Sequence, residues 1–202
     1  MNPLVADADS LEAIIMDWNG VIGLQPGPQD WVELAGLAGW SADNAAAFQQ
    51  RFWRARPAYD RGRTTDAEFW QALVTGPGPL SRDLLAALCK TETAMWMGTD
   101  PAVLEALGAI RTRGIPILLL SNAPHQIADA VDATEWRRTL ITHALYSARL
   151  GVTKPQRAAY EAALDAAGRP APARTLFVDD RADNCAAARQ IGMRTLLYTN
   201  AP

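Results

Sequence analysis

The chain has 202 residues, 49% of them hydrophobic, enough to bury one sizeable core with room for a smaller insertion. Its formal net charge of −3 excludes a basic footprint for nucleic acid or a polybasic membrane patch and favours small-molecule or protein partners. Cys89 and Cys185 lack CxxC spacing, which excludes a zinc site built from cysteine alone and fits a reduced, cytoplasmic protein; monomer and homodimer both stand open.

Residues 1–11 read as a polar lead-in. With Asp7, Asp9 and Glu12 before Ala13, this start lacks the basic-then-apolar order of a signal peptide. No apolar stretch approaches the roughly 18–20 residues that cross a bilayer. Ala13 to Met16 form a continuous apolar run, the pattern of a strand buried on both faces of a parallel sheet. From residue 24 to 99 the character changes. Pro26, Gly27 and Pro28 break the chain, and four helical segments are predicted: 30–37, 42–54, one through Phe69, Trp70 and Leu73 capped by Thr65 or Asp66, and 81–93. A break is read at Pro57-Ala58-Tyr59. Trp31, Trp40, Trp53, Trp70 and Trp96 lie in or beside this block and are expected to pack it.

Asp100-Pro101 is a strong helix start and Gly114 a stop. Strands and helices then alternate: strand 117–120, helix 126–131, strand 144–146, helix 157–167, strand 175–178, helix 183–190 and strand 195–198. Alternation of this kind predicts an α/β fold, a doubly wound parallel sheet formed by residues 1–23 and 100–202, interrupted by a helical bundle over residues 24–99.

Three predicted strands end in polar side chains: Asp17, Ser121, and the pair Asp179-Asp180. In open parallel sheets ligands bind beyond the carboxyl ends of the strands, so these groups are expected to share one crevice. Together with Lys154 they suit phosphoryl chemistry. Asp17 and an acid of the 179–180 pair offer hard oxygen ligands for magnesium, and Ser121, nearby backbone N–H groups and Lys154 offset phosphate charge. Taken singly, each has a plainer reading: a turn acid for Asp17, an N-cap for Ser121, a solvated lysine for Lys154, a helix cap for Asp183.

In this order the residues resemble the haloacid dehalogenase-like (HAD) hydrolases, in the branch whose helical cap follows the first motif. Asp17-Trp18-Asn19-Gly20-Val21-Ile22 resembles the nucleophile motif, Leu120-Ser121-Asn122 the second, Lys154-Pro155 the third, and Val178-Asp179-Asp180-Arg181-Ala182-Asp183-Asn184 the fourth. The resemblance implies a Rossmann-like core, a Mg2+ cofactor and a small phosphorylated metabolite as substrate. It implies that Asp17 is the nucleophile that forms an aspartyl phosphate. Asp17, the residue-19 carbonyl and Asp180 then ligate magnesium, Ser121 and Asn122 hold phosphate, Lys154 neutralises it, and Asp179, Asp183 and Asn184 support the site. The paired acids of the fourth motif separate the chain from the dehalogenases of the same family.

Residue 19 departs from the phosphatase pattern, which places an acid–base aspartate there. Asn19 keeps the backbone carbonyl but cannot donate or accept a proton, a function worth about 10²- to 10⁴-fold in rate. Three accounts stand open: an engineered replacement of aspartate, a leaving group that needs little acid help such as an acyl or aryl phosphate, or binding without turnover. Transfer of the phosphoryl group to another acceptor is a further alternative. Trp18, directly after the nucleophile, is a candidate substrate contact or a residue packed beneath the cap. Among Arg51, Arg54, Arg56, Arg61 and Arg63, mostly solvated by the plain reading, Arg56 or Arg61 is the candidate selector of an anionic substrate. His125 and His143 have no ligand spacing.

Overall fold

The computed structural model describes residues 10–199. The lead-in expected over residues 1–11 lies, up to residue 9, outside them. Five strands form one parallel sheet: β1 (Ala13–Met16), β2 (Ile117–Ser121), β3 (His143–Tyr146), β4 (Thr175–Asp179) and β5 (Arg194–Leu197), in the spatial order β3-β2-β1-β4-β5. Both faces of β1 and β2, and nearly all of β4, are covered, which is why these inner strands read as apolar runs rather than alternating ones. Ile14, Met16, Ile117 and Leu119 point to one apolar cluster, and Ala13, Ile15, Leu118, Leu120 and Phe177 to the other.

The first face is covered by α5 (Pro101–Arg111), α6 (His125–Asp132) and α7 (Glu135–Leu140), and the second by α9 (Arg157–Ala166) and α10 (Ala182–Gln190), with the single turn α8 (Ser147–Leu150) after β3. α5 is capped as expected, the Asp100 carboxylate accepting from Ala102 N at 2.9 Å. The chain runs from β1 outward to β2 and β3, then returns to place β4 on the other side of β1. That reversal opens a crevice beyond the ends of β1 and β4.

Between β1 and α5 lie α1 (Pro28–Leu37), α2 (Ala45–Tyr59), α3 (Asp66–Gln71) and α4 (Arg82–Trp96). Thr65 and Glu68 cap α3 reciprocally, and the Ser81 hydroxyl accepts from Leu84 N at 3.2 Å to start α4. Trp31, Phe48, Phe52, Phe69, Trp70 and Trp96 pack these helices, in one cluster with Trp18, Val21 and the β1 face. The chain leaves and rejoins the sheet layer side by side, since Gly23 and Thr99 form an antiparallel bridge flanked by Leu24 N–H to Gly98 O and Asp100 N–H to Ile22 O, each 2.9 Å.

Two expectations need correction here. α2 does not stop near Arg54 but continues over Pro57 to Tyr59. Proline removes one helical hydrogen bond, yet burial of Arg56 and stacking of Tyr59 on Phe69, with centroids 4.1 Å apart, hold the last turn. α7 and α8 fall where no element was read. The α7 segment Glu-Trp-Arg-Arg-Thr-Leu has only six residues, and Trp136 and Leu140 are its sole apolar pair, too short a pattern to reveal a helix.

Candidate active site

Asp17 is the residue after β1, and its backbone N–H donates to Val178 O at 2.9 Å. The β1–β4 ladder thus fixes its position beside Asp179, the last residue of β4. Lys154 joins the two, its ammonium lying 2.6 Å from Asp17 Oδ1 and 2.7 Å from Asp179 Oδ2. All three are buried. Burial opposes the lysine charge, but the two carboxylates outweigh it and hold the Lys154 pKa above its ordinary value. Asn122 anchors the lysine backbone in both directions, Nδ2 donating to Lys154 O and Oδ1 accepting from Lys154 N, each at 2.9 Å. The side chain of Asn122 is therefore a brace for Lys154.

Asp179 is saturated by its neighbours. Besides Lys154 it accepts from Asn184 Nδ2 at 2.9 and 3.1 Å and from Arg181 N at 2.9 Å. Asp180, only half-buried, has the 3.3 Å bond from Gln25 Nε2. Carboxylate oxygens of Asp17, Asp179 and Asp180 lie within 4.8 Å of one another. Once ionised, three carboxylates against one ammonium leave two negative charges, which a divalent cation balances. The donor set is hard oxygen, suited to magnesium or calcium. Burial pushes Asp17 up to about 7, against the pull of Lys154, and Asp179 adds repulsion. Burial and then Asp179 raise Asp180 as well. Gly20 makes the space: at φ +82°, a Cβ there would lie 2.2 Å from Asp180 Oδ2. Asn19 presents a buried Oδ1 with no hydrogen-bond partner.

The crevice above these groups has a volume of about 700 Å³, with Asp17, Asn19, Ser121, Asn122, Lys154 and Asp180 on its floor. Helix α2 and the turn after it contribute Trp53, Arg56 and Arg61 to its wall. Arg61 Nε donates to Thr153 Oγ1 at 3.3 Å, which carries the guanidinium across to the segment before Lys154. Arg56 is a different kind of residue from the one expected. It is buried between Asp60, 2.6 Å from Nε, and Glu92, which accepts from Nη1, so its charge is already matched. Trp18 is not a wall residue. Its ring, 1% exposed, stacks on Trp136 with centroids 5.0 Å apart and planes 4° from parallel, and a Cβ on Gly23 would touch it. Asp183 also points away, paired with Arg181 at 2.7 Å and accepting from Asn184 N.

Residues 11–192 match the profile of the haloacid dehalogenase-like hydrolases. The chain belongs to that family. A HAD family enzyme of Bacteroides thetaiotaomicron, solved with magnesium and inorganic phosphate, is similar to it in structure with a TM-score of 0.71 and 19% identity, over 95% of this chain and 94% of that one. A predicted HAD-like hydrolase of Porphyromonas gingivalis superposes with TM-score 0.73 at 18% identity, over 96% and 93% of the two chains. The L-2-haloacid dehalogenase of Xanthobacter autotrophicus gives 0.67 at 16%, over 92% and 76%. At these identities the likeness establishes the fold.

In this HAD-like hydrolase several crevice residues carried no signal in the sequence. Gln25 sits in the Pro-Gly break after β1 yet reaches Asp180, and Thr153 and Gln156 flank Lys154, the Gln156 side chain accepting from Thr153 N at 3.0 Å. Glu92 is joined to the sheet layer by Gln126 of α6, whose amide donates to it at 2.5 Å. The Glu92–Gln126 pairing links residues far apart in the chain and depends on the packing of α4 against α6.

Proposed function

We propose that this chain is a magnesium-dependent phosphohydrolase of a small phosphorylated metabolite, working through an aspartyl phosphate on Asp17. The observation that carries the reading is the Asp17–Lys154–Asp179 chain of contacts with the freer Asp180 beside it. The phosphate-bound Bacteroides relative supports it, and the paired acids favour it over the dehalogenase chemistry named for other relatives. Residues 24–99 act as a cap over the core of residues 1–23 and 100–202. The free cysteines agree with a cytoplasmic setting.

Asp17, Asp180 and the Asn19 carbonyl are the residues to hold magnesium, which when bound neutralises phosphate oxygens and so permits attack by an anion. Lys154 and Ser121 hold the phosphate oxygens. An Asp17 oxygen then bonds to phosphorus as the P–O bond to the leaving group breaks, the electron pair departing with that oxygen. Water next attacks phosphorus, the P–O bond to Asp17 breaks, and inorganic phosphate leaves. Asn19 transfers no proton in either half. Leaving groups stable as anions, such as aryl or acyl groups, are therefore favoured in the first, and the second is slow enough for phosphoenzyme to accumulate.

Aryl, acyl and alkyl phosphates tested with magnesium on this protein and on Asn19→Asp decide the matter. Aryl or acyl phosphates should give a product burst and a phosphorylated Asp17 by intact mass. Asn19→Asp should raise turnover of alkyl phosphates about 10²- to 10⁴-fold. Magnesium binding with no turnover until Asn19→Asp is made would favour the second reading, a phosphate-binding protein, which the amide itself motivates. Labelled phosphate on an added acceptor would favour phosphoryl transfer.

A further inference from the structure

Among the described residues, large hydrophobic side chains left exposed are Leu24, Trp53 and Leu197. Trp53, 46% exposed, lines the same crevice as Asp17. An indole leaves water readily, and the other rings of the cap are buried or partly covered. Trp53 is held, not loose: its ring centroid lies 5.4 Å from Phe52, 5.9 Å from Trp31 and 6.0 Å from Trp96, all at steep interplanar angles. These neighbours fix the ring from one side while the rest of it faces the crevice. Trp96 and Pro57 continue the apolar wall beside it. The crevice is thus divided, with charge and metal-ligating oxygens on the sheet side and a braced aromatic surface on the α2 side.

We infer that the substrate is an aryl phosphate, a monoester whose phosphorylated oxygen is carried by an aromatic ring that stacks against Trp53. The inference rests on the phosphohydrolase reading and adds the substrate class. Two independent features converge on it. Trp53 offers a preordered flat surface, and planar partners at 4.5–7 Å gain from such contact beyond the area they bury. Asn19 leaves the departing oxygen without a proton donor. A phenol loses its proton with a pKa of about 10, far below the ~16 of water, so phenolate departs with the electron pair of the broken P–O bond and takes its proton from solvent afterwards. An aliphatic alkoxide, without that stability, is disfavoured on both counts. Arg61 lines the same crevice and supplies a cation on that wall.

The test compares phenyl phosphate, acetyl phosphate and glycerol phosphate on the wild-type chain, Trp53→Leu and Trp53→Phe. Trp53→Leu keeps an apolar side chain but no ring, and should lower the ratio of kcat/KM for phenyl over acetyl phosphate about 3- to 10-fold, mostly through KM, while Trp53→Phe restores most of it. An unchanged ratio in Trp53→Leu would overturn the inference, as would wild-type preference for glycerol phosphate. A chain that hydrolyses none of the three sinks the catalytic reading but leaves the ring contact measurable. Phenyl phosphate should then still quench indole fluorescence in the wild type and fail to do so in Trp53→Leu, and equal quenching in both would overturn it.

Discussion

At the residue scale, the site depends as much on an absent side chain as on those present. Asp180 can approach Asp17 because Gly20 has no Cβ, and the same glycine turns at positive φ, a conformation other L-residues reach at a cost of roughly 1–2 kcal/mol. Gly20→Ala should therefore displace the Asp180 carboxylate and weaken magnesium binding by at least about 10-fold, the scale seen when groups around a metal are moved. Titration calorimetry with magnesium alone reads this directly, and an affinity equal to that of the wild type would show that Asp180 does not ligate. Position 19 has the opposite character. Its amide cannot donate or accept a proton as an aspartate does, so on the proposed phosphohydrolase reading it bears on which phosphates react more than on whether the pocket forms.

At the element scale, α2 and α4 meet in a buried charge cluster where Arg56 faces both Asp60 and Glu92, and α6 joins through Gln126. One guanidinium cannot match two buried carboxylates. Burial pushes Glu92 up from 4.5 to about 7, against the pull of Arg56. Between those values the unfolded chain has released a proton that the folded chain still holds, so the cluster's contribution to stability is full below about 4.5, falls as pH rises towards 7, and is level above. The loss is on the order of 3 kcal/mol. Glu92→Gln, which cannot ionise, should lack this slope. Thermal unfolding from pH 5 to 8 checks it: the melting temperature of the wild type should decline relative to the variant up to about pH 7, and parallel curves would refute the assignment. This cluster also marks the limit of what the sequence disclosed. Strands were legible because runs such as Ala13–Met16 and Ile117–Leu120 are apolar on both faces, and Asp17, Ser121 and Asp180 were legible because they stand where such runs end, whereas Lys154, beyond α8, was read from the Lys154-Pro155 pair. Arg56 was misread as an open cation because one of its two partners, Glu92, is 36 residues away, and the other, Asp60, comes within reach only because α2 continues past Pro57. Trp18 was half-read because its companion Trp136 lies far along the chain on α7, a helix of only six residues.

At the scale of the whole molecule, the inserted helices are not an appendage. One apolar cluster runs from Trp70 and Phe52 through Trp96 and Trp18 to Ile14 and Met16 on the sheet. The insertion and the core should accordingly unfold together, giving a single calorimetric transition whose van't Hoff and calorimetric enthalpies agree. Two resolved transitions would show that the cap is a separate cooperative unit.

The position of β1 sets a clock on the making of the protein. The strand at the centre of the finished sheet is the first to be synthesised, and its nearest partner in register, Ile117 opposite Ile14, follows about 100 residues later. At synthesis rates of roughly 5–20 residues per second, that interval is about 5–20 s. Helices form in microseconds, so synthesis and not helix formation sets the length of that interval. Before β2 exists, β1 can already meet the insertion, whose apolar cluster includes Trp18 and Val21 just after the strand.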